Sequence, residues 1–196
     1  MKRLSCYAYW DAHSNQRTGT ILVANDNDMR IIGNVIMKNP GSARPLDSFS
    51  LREDGRLLFS VDATMYAIAD LFQLDRKYGC IQIFNLSDYR DADFKKASSQ
   101  LSVSEISEVE REAYSSSPTY IGWGDMYQDD RFKAKAETIF DMVKSRTKGY
   151  DPILENNLFF HPLYLMRYGK SKPECQSVID TFRENFKRYE REIPPL

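Results

Sequence analysis

Ile31-Ile32-Gly33-Asn34-Val35-Ile36-Met37-Lys38-Asn39-Pro40-Gly41-Ser42-Ala43 is the stretch whose reading decides the fold. Its first seven residues are apolar but for Asn34 and rich in β-branched side chains, short enough for a buried strand. In the turn that follows, Pro40 and Gly41 bend the backbone directly after Asn39. Three further runs have the same look: 80–84 (CIQIF), 120–123 (YIGW) and 158–160 (LFF). Each gives way at once to a polar or turn-forming segment, namely Asn85-Leu86-Ser87, Gly124-Asp125 and His161-Pro162.

Helical patterns lie between these runs. Over 62–76, Met65, Ile68, Ala69, Leu71, Phe72 and Leu74 recur at helical spacing, and Gly79 supplies a stop. Ser102-x-x-Glu105 reads as a capping box opening a helix over 106–114, with Ile106, Val109 and Ala113 on one face. Over 129–148, Phe132, Ala136, Ile139, Phe140 and Val143 form a stripe that ends at Gly149. Pro173 suits the first turn of a last helix whose buried face is Val178, Ile179, Phe182, Phe186 and Tyr189. At the other end, strands over 4–10 and 20–24 flank a turn-rich connection at 15–19, which predicts a hairpin, and 25–28 is a second turn. Alternating strands and helices imply a largely parallel sheet covered on both faces. In such sheets ligands bind beyond the carboxyl ends of the strands, so the polar residues after each run are the candidate site.

Composition narrows the classes. A chain of 196 residues with 42% hydrophobic and 28% charged residues, including 11 Phe and 12 Tyr, suits one domain over 1–196, burying roughly 70% of its unfolded surface. Nothing approaches the ~18 consecutive apolar residues of a membrane span, and no apolar leader follows Met1-Lys2-Arg3. The expectation is a cytoplasmic protein that does not touch a membrane. Cys6, Cys80 and Cys175 are odd in number, far apart and without metal-ligand spacing, so neither disulfide nor metal is expected, and no cofactor. A net charge of −1 and a pI near 6.2 argue against a dedicated non-specific nucleic-acid binder. They leave room for local basic strips at Arg167, Lys170 and Lys172, or at Arg44 and Arg52.

Three polar residues stand out chemically. Asn39 is no base near neutral pH, but its amide can hold a water or a substrate edge; an ordinary strand-to-loop turn would look the same. Asn85 ends an apolar run, where its donors and acceptor must be met either by tying loops together or by reading a ligand. His161 follows the run 158–160, and its tunable protonation suits the stabilisation of a developing anion, although a lone His also serves structural ends. His13, in the turn-rich hairpin, reads as a surface residue.

The order Asn39-Pro40-Gly41, Phe59-Ser60-Val61, Asn85, Trp123-Gly124, His161-Pro162 resembles the uracil-DNA glycosylase superfamily over about 31–182. It is more similar to an uncharacterised bacterial and phage family, domain of unknown function 1643. Here the motifs of that family read Asn39-Pro40-Gly41-Ser42-Ala43, Asp62-Ala63-Thr64, Asn85-Leu86, Trp123-Gly124 and His161-Pro162-Leu163-Tyr164-Leu165. The resemblance implies a three-layer α/β/α fold with a mainly parallel four-stranded sheet, the N-terminal hairpin (1–28) being an extension. It implies that Asn39 orients a hydrolytic water, Phe59 stacks on a base, Asn85 reads its edge and His161 stabilises the departing base anion. Asp62 is a general base or a helix cap; Lys38, Thr64, Trp123 and Tyr164 complete the substrate set, and Ser42, Arg167 and Lys170 meet phosphate.

Three readings follow. The first is an enzyme that hydrolyses an N-glycosidic bond in DNA or in a nucleotide. The second is a module that binds a nucleotide or modified base without turnover, which fits a turn carrying Lys38 and no carboxylate. The third is an accessory protein whose partner is another protein.

Overall fold

A computed structural model describes residues 4–24, 28–46, 51–74, 79–90, 105–124, 130–146 and 159–192. Six strands, β1 (Ser5–Asp11), β2 (Gln16–Val23), β3 (Ile31–Met37), β4 (Leu57–Phe59), β5 (Cys80–Asn85) and β6 (Thr119–Ile121), form one open sheet in the order β4-β1-β2-β5-β3-β6. Among the described residues the helices are α1 (Ala63–Leu71), α2 (Glu108–Ser116), α3 (Asp130–Arg146), α4 (Pro162–Tyr168) and α5 (Pro173–Glu192).

The decisive stretch forms β3, which runs parallel to β5 on one side and to β6 on the other. Its residues beyond Ile31 are all buried. Gly33 leaves room for Phe72, the residue that follows α1, because a Cβ there would stand 2.5 Å from Phe72 Cε1.

The sheet is mixed and six-stranded, which corrects the expected four-stranded, mainly parallel one. Only β5-β3-β6 is parallel; β1, β2 and β4 run antiparallel to their neighbours. The hairpin is therefore no appendage. In β2, Leu22 faces the main core while Ile21 and Val23 pack with Cys80 in a smaller cluster. A strand apolar on both faces belongs inside a sheet, and β2 pairs with β5 from Thr20↔Ile83 to Val23↔Cys80. Of the expected fourth strand, Leu158 lies outside the described residues and Phe159 makes only an isolated bridge to Gly124. His161-Pro162 then opens α4, so the chain leaves the extended state there.

The two faces of the sheet carry two apolar clusters. Val35 and Met37 share one with Met65, Ile68 and Leu71 of α1, Leu165 of α4 and Val178, Ile179, Phe182 and Phe186 of α5. Ile36, between them in β3, packs in the other with Tyr114 of α2 and Phe132, Ala136, Ile139 and Val143 of α3. Among the described residues, no helix is long and apolar enough to cross a membrane.

Helix α2 starts later than expected. Ser102 lies outside the described residues, and the capping box that forms is Ser107-x-x-Glu110: Ser107 Oγ accepts from Glu110 N–H, and Glu110 Oε2 accepts from Ser107 N–H. The same motif five residues on thus sets the helix phase. Glu110, Ala113 and Tyr114 are buried, and Val109, expected inside, is 62% exposed. Ser107→Ala is expected to lower stability by about 1 kcal/mol, the usual worth of an N-cap, read as a shift of the urea midpoint at unchanged slope. Helix α1 ends at Leu71 with Phe72 as its C-cap, short of the predicted 76. The stripes of α3 and α5 fall as read, with the side chain of Tyr189 outside the described residues.

Candidate functional site

Strands β3 and β5 end together at Met37↔Asn85. Two hydrogen bonds continue past the ladder, Leu86 N–H to the Met37 carbonyl (2.9 Å) and Ser87 N–H to the Lys38 carbonyl (3.2 Å). Lys38-Asn39 and Asn85 are thereby held side by side at the carboxyl edge of the sheet. The loop after Asn39 curls through Gly41 at φ +70°, a region that disfavours a side chain. Arg90 fixes it by donating from Nε to the Ala43 carbonyl and from Nη2 to the Ser42 carbonyl, both at 2.7 Å.

Two helix starts close the site. Asp62 is the N-cap of α1, its Oδ1 accepting from Met65 N–H at 3.0 Å. The sequence left cap or base open; the cap uses one carboxylate oxygen and Asp62 still lines the cavity. His161 is the N-cap of α4, its Nδ1 accepting from Leu163 N–H at 3.2 Å. It is a helix cap and not a strand end, which corrects its predicted setting. Its backbone is anchored on both sides: Tyr120 Oη donates to the Phe160 carbonyl at 2.6 Å, and the His161 carbonyl accepts from Tyr164 N–H at 2.8 Å.

These elements enclose a pocket of about 260 Å³ lined by Lys38, Asn39, Ser42, Asp62, Thr64, Asn85 and His161, together with Arg17, Met37, Pro40, Gly41, Met65, Ile68 and Ile83. Seven residues singled out in the sequence, scattered from position 38 to 161, meet in one cavity. The structure does not bring the others to it. Phe59 is 1% exposed, set edge-on to Trp10 and under the Arg17 guanidinium. Trp123 is 1% exposed in the opposite core against Phe159. Tyr164 stacks on Phe160 and its hydroxyl accepts from Lys172 Nζ at 2.6 Å, while Arg167 and Lys170 are exposed.

The electrostatics of the pocket are specific. Because Nδ1 of His161 accepts the cap hydrogen bond, Nε2 carries the proton of the neutral ring. Burial lowers the pKa of His161 below 6.5, Lys38 pushes the same way, and Asp62 opposes both. Asn85 is 4% exposed, and its Oδ1 has no hydrogen-bond partner among the described residues. Behind it, Lys135 Nζ donates to the carbonyls of Asn85 and Leu86 at 3.2 Å each, and burial pulls the pKa of this ammonium down. Among the described residues, no group of His, Cys, Asp or Glu is placed to hold a metal ion; the three cysteines are buried and free, and burial raises the Cys6 thiol to about 12.

The shift of His161 has a signed consequence for stability. A folded-state pKa below the unfolded 6.5 means that the unfolded chain binds more protons as pH falls. Its contribution is therefore whole above about pH 6.5 and is lost as pH drops through the lower folded value. Urea midpoints at about pH 7.5 and about pH 5.5 are expected to differ less in His161→Gln than in the unmodified protein.

Sequence reading missed Arg17, which is 3% exposed in this pocket. Between Tyr7↔Ile21 and Tyr9↔Thr18, β2 carries one residue more than β1. This bulge flips the side-chain alternation and turns Arg17 to the face of Thr20 and Leu22. Gly19 permits it at φ +56°, where a Cβ would stand 2.5 Å from Tyr9 Cδ2. The Gly in Arg17-Thr18-Gly19-Thr20 was the one available signal.

No family model, curated protein or solved structure matches this chain.

Proposed function

We propose that this pocket takes a nucleobase with its attached sugar and hydrolyses the N-glycosidic bond, on a three-layer α/β/α scaffold related to the uracil-DNA glycosylase superfamily. The observation that carries the reading is the meeting of Asn39, Asp62, Asn85 and His161 in one cavity. Bond cleavage passes through an oxocarbenium-like centre that needs a held water on one side and an anion stabiliser on the other. Asn39 and the remaining oxygen of Asp62 hold the water. Its oxygen adds to the sugar C1′, the glycosidic electron pair leaves with the base, and the surplus proton passes to Asp62. His161, neutral and with Nε2–H as its donor, hydrogen-bonds the developing base anion without bringing a full charge into the ground state. Asn85 reads the base edge through the Oδ1 that the protein leaves unmatched.

Release of free base, followed by mass spectrometry, tests this on single- and double-stranded oligonucleotides containing uracil or modified pyrimidines and on free nucleotides. Product from any of them supports hydrolysis. A nucleotide that raises the melting temperature and is returned intact supports binding without turnover, the reading favoured by a turn after β3 that carries Lys38 and no carboxylate.

A further inference from the structure

We infer that Arg17 is the anchor for a terminal phosphate, so that the ligand is a free nucleoside monophosphate and not a base within a continuous strand. This rests on the nucleobase reading of the pocket.

Arg17 is 3% exposed and lines the cavity. Its Nη2 donates to the Pro40 carbonyl and its guanidinium lies over the Phe59 ring, with Cζ 5.5 Å from the centroid. Nε and Nη1 are buried with no hydrogen-bond partner, and no carboxylate forms an ion pair with Arg17 among the described residues. A guanidinium cannot shed its proton, so burying it with two donors unmet is costly unless an anion arrives to meet them. A role confined to bracing Pro40 would use one nitrogen and leave the other two unexplained.

A planar guanidinium is also the side chain best suited to phosphate oxygens. The placement argues for a chain end. Arg17 lies beneath the loop that begins at Asn39, which it holds through the Pro40 carbonyl, and an internucleotide phosphate at that depth would need two ways out. A volume of about 260 Å³ lies just below the roughly 300–1,000 Å³ of most small-molecule sites, a size for a single nucleotide. The bulge that aims Arg17 inward is the kind of feature that re-aims a side chain beside a site.

Titration calorimetry on the full chain decides this with four probes: nucleoside 5′-monophosphates, the matching nucleosides, inorganic phosphate, and short oligonucleotides carrying the same base internally. The expected result is that a monophosphate binds roughly 10- to 100-fold tighter than its nucleoside, the usual worth of hydrogen bonds to a charged group. It should also bind tighter than the oligonucleotide. Arg17→Met should erase the preference for the phosphate and Arg17→Lys should keep part of it; the comparison on the unmodified protein stands even if a variant fails to fold. Equal affinity for nucleoside and monophosphate would overturn the phosphate anchor and leave the base reading standing, and a tighter oligonucleotide would overturn the free-nucleotide assignment. Inorganic phosphate binding as well as any nucleotide, with the effect lost in Arg17→Met, would uphold the anchor and remove the nucleobase. Absence of binding by all four would overturn both.

Discussion

His161→Ala is expected to slow base release by roughly 10²–10³, the cost of one lost donor to a developing anion. The expectation follows from the ring's position. Nδ1 is committed to Leu163 N–H, burial keeps the imidazole neutral, and the ring lines the cavity with Nε2 as its only donor. Alanine also removes the cap of α4, so stability should fall by about 1 kcal/mol. His161→Asn separates the two effects, since Asn is a good N-cap and restores the acceptor. Single-turnover rates of both variants, beside their urea midpoints, are the measurement. Stability regained in His161→Asn with the rate still low fits a chemical role, whereas a rate that follows stability makes His161 a structural residue.

The largest loss of stability is expected at Phe182. Its ring is 2% exposed and meets Phe72 at 4.8 Å, Tyr120 at 5.3 Å and Phe186 at 5.9 Å between centroids. It ties α5 to the residue that caps α1 and to β6, so the hole left by alanine is walled by three elements that cannot all close in. Phe182→Ala should cost about 3–5 kcal/mol, roughly a fifth or more of the ~5–15 kcal/mol that holds most domains folded. Chemical denaturation should show it. A loss below about 1 kcal/mol would mean that this core is not packed as described.

What could be read in advance, and what could not, follows from the range of the interactions. Strand β3 with its Asn39-Pro40-Gly41 turn was legible because a strand buried on both faces is almost wholly apolar, Asn34 being the exception, and ends abruptly. The stripes of α3 and α5 were legible because helical periodicity is local. Sheet order was not: β2 was read as an extension because nothing within 16–23 tells that its neighbour is β5, more than fifty residues on. Arg17 was hidden for the same reason, since the bulge that turns it inward exists only in its register with β1. His161 was read as a strand end although Pro162, at the first helical position, was a helix signal in plain view. The site was legible to the extent that residues after apolar runs converge at one sheet edge. Phe59 and Trp123, substrate contacts only by the resemblance, do not join it because their apolar area is used by the core.

The central claim is that the cavity between Asn39, Asn85 and His161 is a nucleobase site. Crystals of this protein soaked with a mixture of purine and pyrimidine nucleoside monophosphates test it most directly. The account predicts a base whose edge meets Asn85 Oδ1, a sugar C1′ facing Asn39 and Asp62, and a phosphate on Arg17. A nucleotide bound elsewhere with this cavity holding only solvent, or a base turned away from Asn85 and His161, would contradict it.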